Sequence, residues 1–524
     1  MQIPRPSLDR AIAEFGTPLF LIDVGQIRNE LAAFRRAFPA TRTFYSTKTN
    51  PHPIVIDTAT ALGMEFDAAS SAEIAMLLDR GVSPAAIVFT HPRKTETEIE
   101  YAYRVGVRGF VFDCHREMTK LSALAPSADL FLRVAAEQHE SVYDYRGRFG
   151  ATIGDARLIL TSAAHHGHLI GGVAFHVGTQ TLSLRAWHEA MESIVPLFDE
   201  FCDRLPHFRR VNIGSGFPFD YGGFGLITSR EVAATVRRHM STRRDLELAA
   251  EPGRTLVASA VQLVTRVEDI TSRDGRRWVS VDASVYQGLT EILQSGGRVR
   301  YQIGVVDRHD RAPADAVEVR HMSACTVVGK TLDPDDILGE DVLLPDDLAE
   351  GDCLVIHDVG AYSVPFITDY HMLRRPVVAS VDSADDSRVV LGPVTATEWG
   401  VFARRTFAEG ERVMSVFGHR TREPTCSTLE LDGGSHVEPT VVARHLNHSC
   451  DPNAHVRQRA DGFLDIIAKE TVLAGEEIVV DDVAAHLEGG TSGRGFSNHQ
   501  GAAGTASTGA GVARRATRLS LRQP

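Results

Sequence analysis

Between residues 40 and 255, short apolar runs rich in β-branched and aromatic residues alternate with stretches whose apolar positions recur three and four apart. The short runs fall at 42–46, 64–68, 87–90, 109–113, 129–134, 171–176, 209–213 and 246–250. The intervening stretches have the helical period; 70–80, for example, places Ile74, Leu77 and Leu78 on one face. Eight such repeats predict a (β/α)8 barrel with helical crossovers between parallel strands. After residue 251 the helical period weakens and turn-punctuated β runs take over, as at 278–282, 324–328 and 353–357. This pattern predicts a separate β-barrel domain, joined by an N-terminal strand at 19–23.

The expected organisation is an N-terminal segment at 1–30, a barrel at 31–255, a β-barrel domain at 256–380 and a connecting segment at 381–388. A mainly-β module at 389–487 and a Gly/Ser/Thr/Ala-rich tail at 488–524 complete the chain. The tail holds too few apolar residues to offset the entropy of ordering and is expected to be disordered. A chain of 524 residues exceeds what one core usually organises, which agrees with several domains.

Composition changes this picture little. Hydrophobic residues make up 43% and charged residues 23%, as in ordinary globular proteins, and the net charge of −13 disfavours a nucleic-acid surface. Six scattered cysteines without a CxxC spacing point away from a disulfide framework or zinc module, and no metal site is expected. No apolar run reaches the ~20 residues of a membrane span. A cytoplasmic protein is the expectation, with neither nucleic acid nor membrane as partner.

Five motifs carry candidate chemistry, in fixed order: Lys48 in Ser46-Thr47-Lys48-Thr49-Asn50, His176 in His176-Val177-Gly178, Gly214-Ser215-Gly216, Glu251-Pro252-Gly253-Arg254, and Tyr362 in Gly360-Ala361-Tyr362. Singly they are weak; Lys48 alone reads as a solvated surface lysine and His176 as a core histidine. Together they supply an amine, a ring-stacking imidazole, a glycine turn able to bring backbone N–H groups to an oxyanion, a carboxylate beside a cation, and a phenol. Those groups suit pyridoxal 5'-phosphate. Lys48, Asp67, His176, Gly214 and Glu251 also fall at the C-terminal ends of the predicted barrel strands, where chemistry sits in such folds.

The order and spacing resemble the group IV pyridoxal-phosphate decarboxylases, the ornithine and diaminopimelate type, over roughly residues 10 to 380. The resemblance implies an alanine-racemase-like fold and decarboxylation of an amino acid through an external aldimine and quinonoid, with Lys48 as the aldimine lysine. It also implies His176 stacked on the ring, Glu251 at the ring nitrogen, and Arg254, Gly253 and Tyr362 near the phosphate. Asp67, Glu73 and Arg133 match further positions near the cofactor. Helix capping by Ser70 or Ser71 competes as the reason for part of the run at 66–73. Asp333 matches a carboxylate that binds the distal ammonium of a basic substrate across a subunit interface, so a homodimer with shared active sites is implied. The family's acid cysteine is replaced by Leu332, which cannot donate a proton.

In the C-terminal module, Asn447-His448-Ser449-Cys450 with Trp399-Gly400 and Gly475-Glu476-Glu477 resembles the SET-domain methyltransferases. Gly400, Asn447 and His448 are thereby candidates for binding S-adenosylmethionine. Val479-Val480-Asp481 stands where that family shows tyrosines, and the cysteines of its zinc-binding tail are missing. Three functions stay open: a decarboxylase of a basic amino acid with a degenerate SET module, a pseudoenzyme regulating a paralogous decarboxylase, and a protein lysine methyltransferase. The SET-like module is a candidate contact for a protein partner.

Overall fold

The computed structural model describes residues 3–481 apart from 138, 144–146, 223–225, 242–245, 307–320, 384–387, 395–398, 417, 422–428, 431–435, 440–442, 450 and 459–463. The expected tail at 488–524 lies outside the described residues. The chain divides into two compact units at Val381/Asp382.

In the first unit, eight parallel strands close a barrel in the order Arg42–Ser46, Glu65–Ala68, Ile87–Phe89, Gly109–Phe112, Asp129–Arg133, Ile170–Ala174, Arg210–Asn212 and Glu247–Ala250. Sequence order equals spatial order, as short right-handed crossovers dictate. Phe44, Val88, Val111, Phe131 and Ala249 pack together as a barrel core. At the end where the strands begin, Arg210 lies 2.9 Å from Asp129 and 3.1 Å from Glu247, and Arg42 pairs with Glu65. These charged first residues leave the opposite end, where strands stop, for other chemistry.

The crossover helices start where side chains satisfy their free N–H groups. Ser70 accepts from the Glu73 N–H ahead of Ser71–Asp79, and Thr95 and Glu98 form a reciprocal cap on Glu96–Arg104. The helix Val24–Ala37 crosses the expected boundary at residue 30, and its Phe34 meets Phe217 edge-on at 5.1 Å. It belongs with the barrel.

The second sheet has eight strands. Its path runs Ile303–Val306, Cys353–Ile356, Val261–Arg273, Arg276–Val281, Met322–Val328 and Ile337–Pro345. Leu19–Asp23 joins it, antiparallel to Val261–Arg273 and parallel to Val377–Val381. That last pairing moves the expected domain end by one residue: Val381, expected to open the connecting segment, is a buried strand residue because it extends a register begun at Val377.

Among its described residues the second unit contains three small sheets. One joins Val389–Pro393, Trp399–Ala403, Glu477–Val480 and Asn447–His448; another joins Arg412–Val416, Leu464–Ala468 and Ala454–Gln458. Their core includes Val401, Phe407, Val413, Ile466 and Ile478.

Glycine positions test the barrel. A Cβ at Gly172 would overlap the Arg210 carbonyl, whereas one at Gly154, in the helix Ile153–His166, meets nothing closer than 3.8 Å. Gly172→Ala is expected to destabilise the protein by about 3 kcal/mol and Gly154→Ala to stabilise it by roughly 0.5 kcal/mol. Urea unfolding of both variants checks this; equal effects would contradict the close strand packing.

Candidate active site

The predicted residues converge at the C-terminal end of the barrel. Lys48 sits in the single turn Thr47–Thr49 that follows the strand Arg42–Ser46. Its Nζ donates to Ser46 Oγ at 2.9 Å and to Asp67 Oδ2 at 3.1 Å, and Ser46 Oγ donates to the same carboxylate oxygen at 2.8 Å. Thr90 donates its hydroxyl to the other oxygen of Asp67. Asp67 is 2% exposed, whereas 44% of the Lys48 side chain remains open at the barrel mouth. Burial pulls the Lys48 ammonium down, but the charge of Asp67, aided by Tyr362 and Glu251, outweighs it and holds Lys48 above its ordinary value.

Glu251 lies one residue past the strand Glu247–Ala250. Its carboxylate accepts from Asn212 Nδ2 at 2.7 Å, and Asn212 Oδ1 accepts from the Gly214 N–H at 2.9 Å. The Glu251 N–H in turn donates to the Gly214 carbonyl at 2.7 Å. One asparagine thereby ties the acid to the glycine turn. Burial, followed by the negative charge of Asp67, pushes the Glu251 carboxyl up to about 7 against the opposing pull of Lys48. Burial also drives His176 well below the ordinary imidazole value, and the positive charges of Arg133 and Lys48 push the same way. His176 is therefore neutral, and its Nδ1 accepts from the Gly178 N–H at 3.0 Å. Glu73 is raised, chiefly by burial, and accepts from the Ala69 N–H at 2.6 Å.

Gly214 and Gly216 have φ of 62° and 108°, and a Cβ on Gly216 would lie 2.6 Å from the Gly178 carbonyl oxygen. Only glycine suits both demands, and Ser215 between them is half-buried. A Cβ on Gly253 would overlap Thr49 Oγ1, which keeps Arg254 tight against the lysine turn. Arg254 stands 4.9 Å from the centroid of the Tyr362 ring, and the Tyr362 N–H donates to the Thr49 carbonyl at 2.8 Å. Arg254 Nε is buried and has no hydrogen-bond partner among the described residues. A buried, unpaired guanidinium donor beside a glycine turn fits an anionic ligand group such as a phosphate.

Asp333 lies outside this cluster. It follows Leu332, which is 92% exposed, and accepts from the Asp335 N–H at 2.9 Å and the Tyr370 phenol at 3.4 Å. The buried Asp336 shapes that loop by accepting from the N–H groups of Val285 at 2.7 Å and Thr331 at 3.0 Å. Cys325 cannot stand in for the missing cysteine, because it is buried and donates Sγ–H to the Val342 carbonyl. In the second unit, Asn447 Nδ2 donates to Glu477 Oε1 at 2.8 Å, a Cβ on Gly400 would press against that same oxygen, and His448 is exposed. Among the described residues, no group of His, Cys, Asp or Glu could hold a metal, and no helix is long and apolar enough to cross a membrane.

Sequence reasoning missed Ser46, Thr90, Asn212, Tyr221 and Glu291. Ser46 and Asn212 stand within the motifs themselves, so their spacing was a usable signal. Tyr221 and Glu291 reach Arg254 across 33 and 37 residues and carry no local mark.

Known proteins share these domains and this fold. Residues 24–258 match the pyridoxal-dependent decarboxylase pyridoxal-binding domain, and residues 398–481 match the SET domain. The chain is 28% identical to a lysine/ornithine decarboxylase of Selenomonas ruminantium over 66% of its own length and 85% of that protein. It is also 28% identical to a diaminopimelate decarboxylase of Neisseria meningitidis serogroup B, over 73% and 91% respectively. A lysine/ornithine decarboxylase from Vibrio vulnificus, solved with putrescine, superposes with a TM-score of 0.64 at 27% identity, covering 72% of this chain and 97% of that one. The first unit is thus a pyridoxal-phosphate-dependent carboxy-lyase fold with its site. Residues 24–258 carry a pyridoxal-dependent decarboxylase domain and residues 398–481 a SET domain, and the chain is similar to lysine/ornithine and diaminopimelate decarboxylases.

The buried Glu251 makes the cofactor-free protein sensitive to pH. A carboxyl raised from 4.5 to about 7 on folding favours the native state while it stays protonated, and this contribution is lost as pH rises through that window. Thermal melts of the cofactor-free protein from pH 4.5 to 7.5 should show the native chain losing stability relative to Glu251→Gln. Parallel curves would show that Glu251 is not the buried acid described.

Proposed function

We propose that this chain decarboxylates an amino acid with a second, distal amino group, of the ornithine, lysine or diaminopimelate kind, as a homodimer. The observation that carries this reading is the joint placement of the Lys48–Asp67 pair and the buried Glu251 at the mouth of the barrel. Bound pyridoxal phosphate supplies the electron sink for the pair left on Cα when CO2 departs. Lys48 is the amine positioned to hold its aldehyde, with Asp67 orienting Nζ. Glu251, balanced near neutrality and steered by Asn212, holds the proton on the ring nitrogen. A charge-assisted hydrogen bond there contributes roughly 1.5–3 kcal/mol. The neutral His176 would face the ring without adding charge, and the turn at 214–216 with Arg254, Gly253 and Tyr362 would hold the phosphate. Arg133 and Glu73 flank this group.

Asp333, hydrogen-bonded to the Tyr370 phenol on an exposed loop, is assigned to the distal ammonium of the substrate bound by the second subunit. The exposed Leu332 beside it favours a second reading, a regulator that binds without turnover. For the SET unit we assign binding rather than methyl transfer. The strand Glu477–Val480 brings valines where the transfer tyrosine would stand, and S-adenosylmethionine contact would fall to Gly400, Asn447 and His448.

The loaded protein, offered L-ornithine, L-lysine and diaminopimelate, is expected to release the matching amine and CO2, with loss of at least about a thousandfold in rate for Lys48→Ala. Mass spectrometry of the products decides. A carbonyl product would mean that protonation has moved away from Cα. Turnover appearing only in Leu332→Cys would favour the regulator.

A further inference from the structure

The guanidinium of Arg254 is 4% exposed, and its fork is already taken. Nη1 and Nη2 donate to the two carboxylate oxygens of Glu291 at 2.7 and 2.6 Å, and Nη1 also reaches the Tyr221 phenol. Nε is left as a buried donor without a partner among the described residues. Glu291 is itself 3% exposed, on the one-turn helix Glu291–Gln294.

Burying a carboxylate costs several kcal/mol, and an apolar side chain would fill the same space at lower cost if packing were its whole purpose. An arginine directs its donors in one plane, so a guanidinium that must meet an anion along one edge needs its plane fixed from another. Glu291 does this from the fork, while the Tyr362 ring at 4.9 Å covers a face. We propose that Glu291 is a positioning residue for the cofactor phosphate: by holding the fork of Arg254 it leaves Nε as the donor that meets the phosphate. This rests on the cofactor reading above.

A purely Coulombic role has the opposite sign. A carboxylate near a dianion repels it, so its removal would then tighten phosphate binding. Loss of orientation instead weakens binding, and only for ligands that carry the phosphate.

The test compares pyridoxal 5'-phosphate with pyridoxal, which has the same aldehyde and no phosphate. Dissociation constants are read from the visible absorbance of bound ligand in the full-length native chain, Glu291→Gln and Glu291→Asp. The glutamine variant should lose at least about tenfold of the preference for the phosphorylated ligand, with pyridoxal affinity within about twofold of the native value. The aspartate variant should lose less, and it carries the same comparison if the glutamine variant does not fold. Equal weakening of both ligands would show a merely structural role, and an unchanged or larger preference would also overturn the proposal. Absence of any binding by the native chain would sink the cofactor reading itself, and this proposal with it.

Discussion

The first unit depends on one constraint: every charge buried at the open end of the barrel must have a partner. Asp67 is matched by Lys48, Arg254 by Glu291, and Glu251 is held by Asn212 while its proton balance sits near neutrality. An unpaired charge at such depth costs several kcal/mol, a large share of a typical domain's stability, so each of these residues relies on its neighbours. The set explains why the strands end where they do. Ser46, Asn212 and Ala250 close their strands and Asp67 is the last residue but one of its own, and the chemistry begins with the next residues or at those very side chains.

The second sheet takes part in this arrangement through the backbone. The Tyr362 N–H donates to the Thr49 carbonyl, and Asn50 Nδ2 donates to the Gly360 carbonyl at 3.0 Å. Both bonds tie the loop after Cys353–Ile356 to the turn that carries Lys48. Tyr362 has φ of 55°, a conformation that costs a non-glycine residue some energy and persists where its surroundings dictate it. The position of Lys48 relative to Tyr362 is thereby set by hydrogen bonds between a loop of the second sheet and a turn of the barrel rather than by either alone.

Much of this was legible along the chain. The eight barrel strands stood out because parallel strands covered on both faces are short, apolar and β-branched, and the residues at 48, 176, 214 and 251 fall within two residues of the strand ends. The ends were less legible. Val381 opens the segment that reads as a connection by composition, yet it lies in a strand because Asp23 pairs with it from the far end of the sequence. The pairing of Arg254 with Glu291 was invisible for the same reason: nothing local in residues 288–295 marks a carboxylate that will be buried against an arginine 37 positions earlier. The motif of Asp333 points to the site, yet within one chain Asp333 sits apart from Lys48 and Glu251, on a loop shaped by Asp336.

The most direct test of the account is the identity of the residue that holds the cofactor. Pyridoxal phosphate is added to the full-length chain, the adduct is reduced with borohydride, and peptides are mapped by mass spectrometry. The account predicts a single reduced adduct on Lys48. A predominant adduct on another lysine, such as the buried Lys94, or no adduct at all, would contradict it.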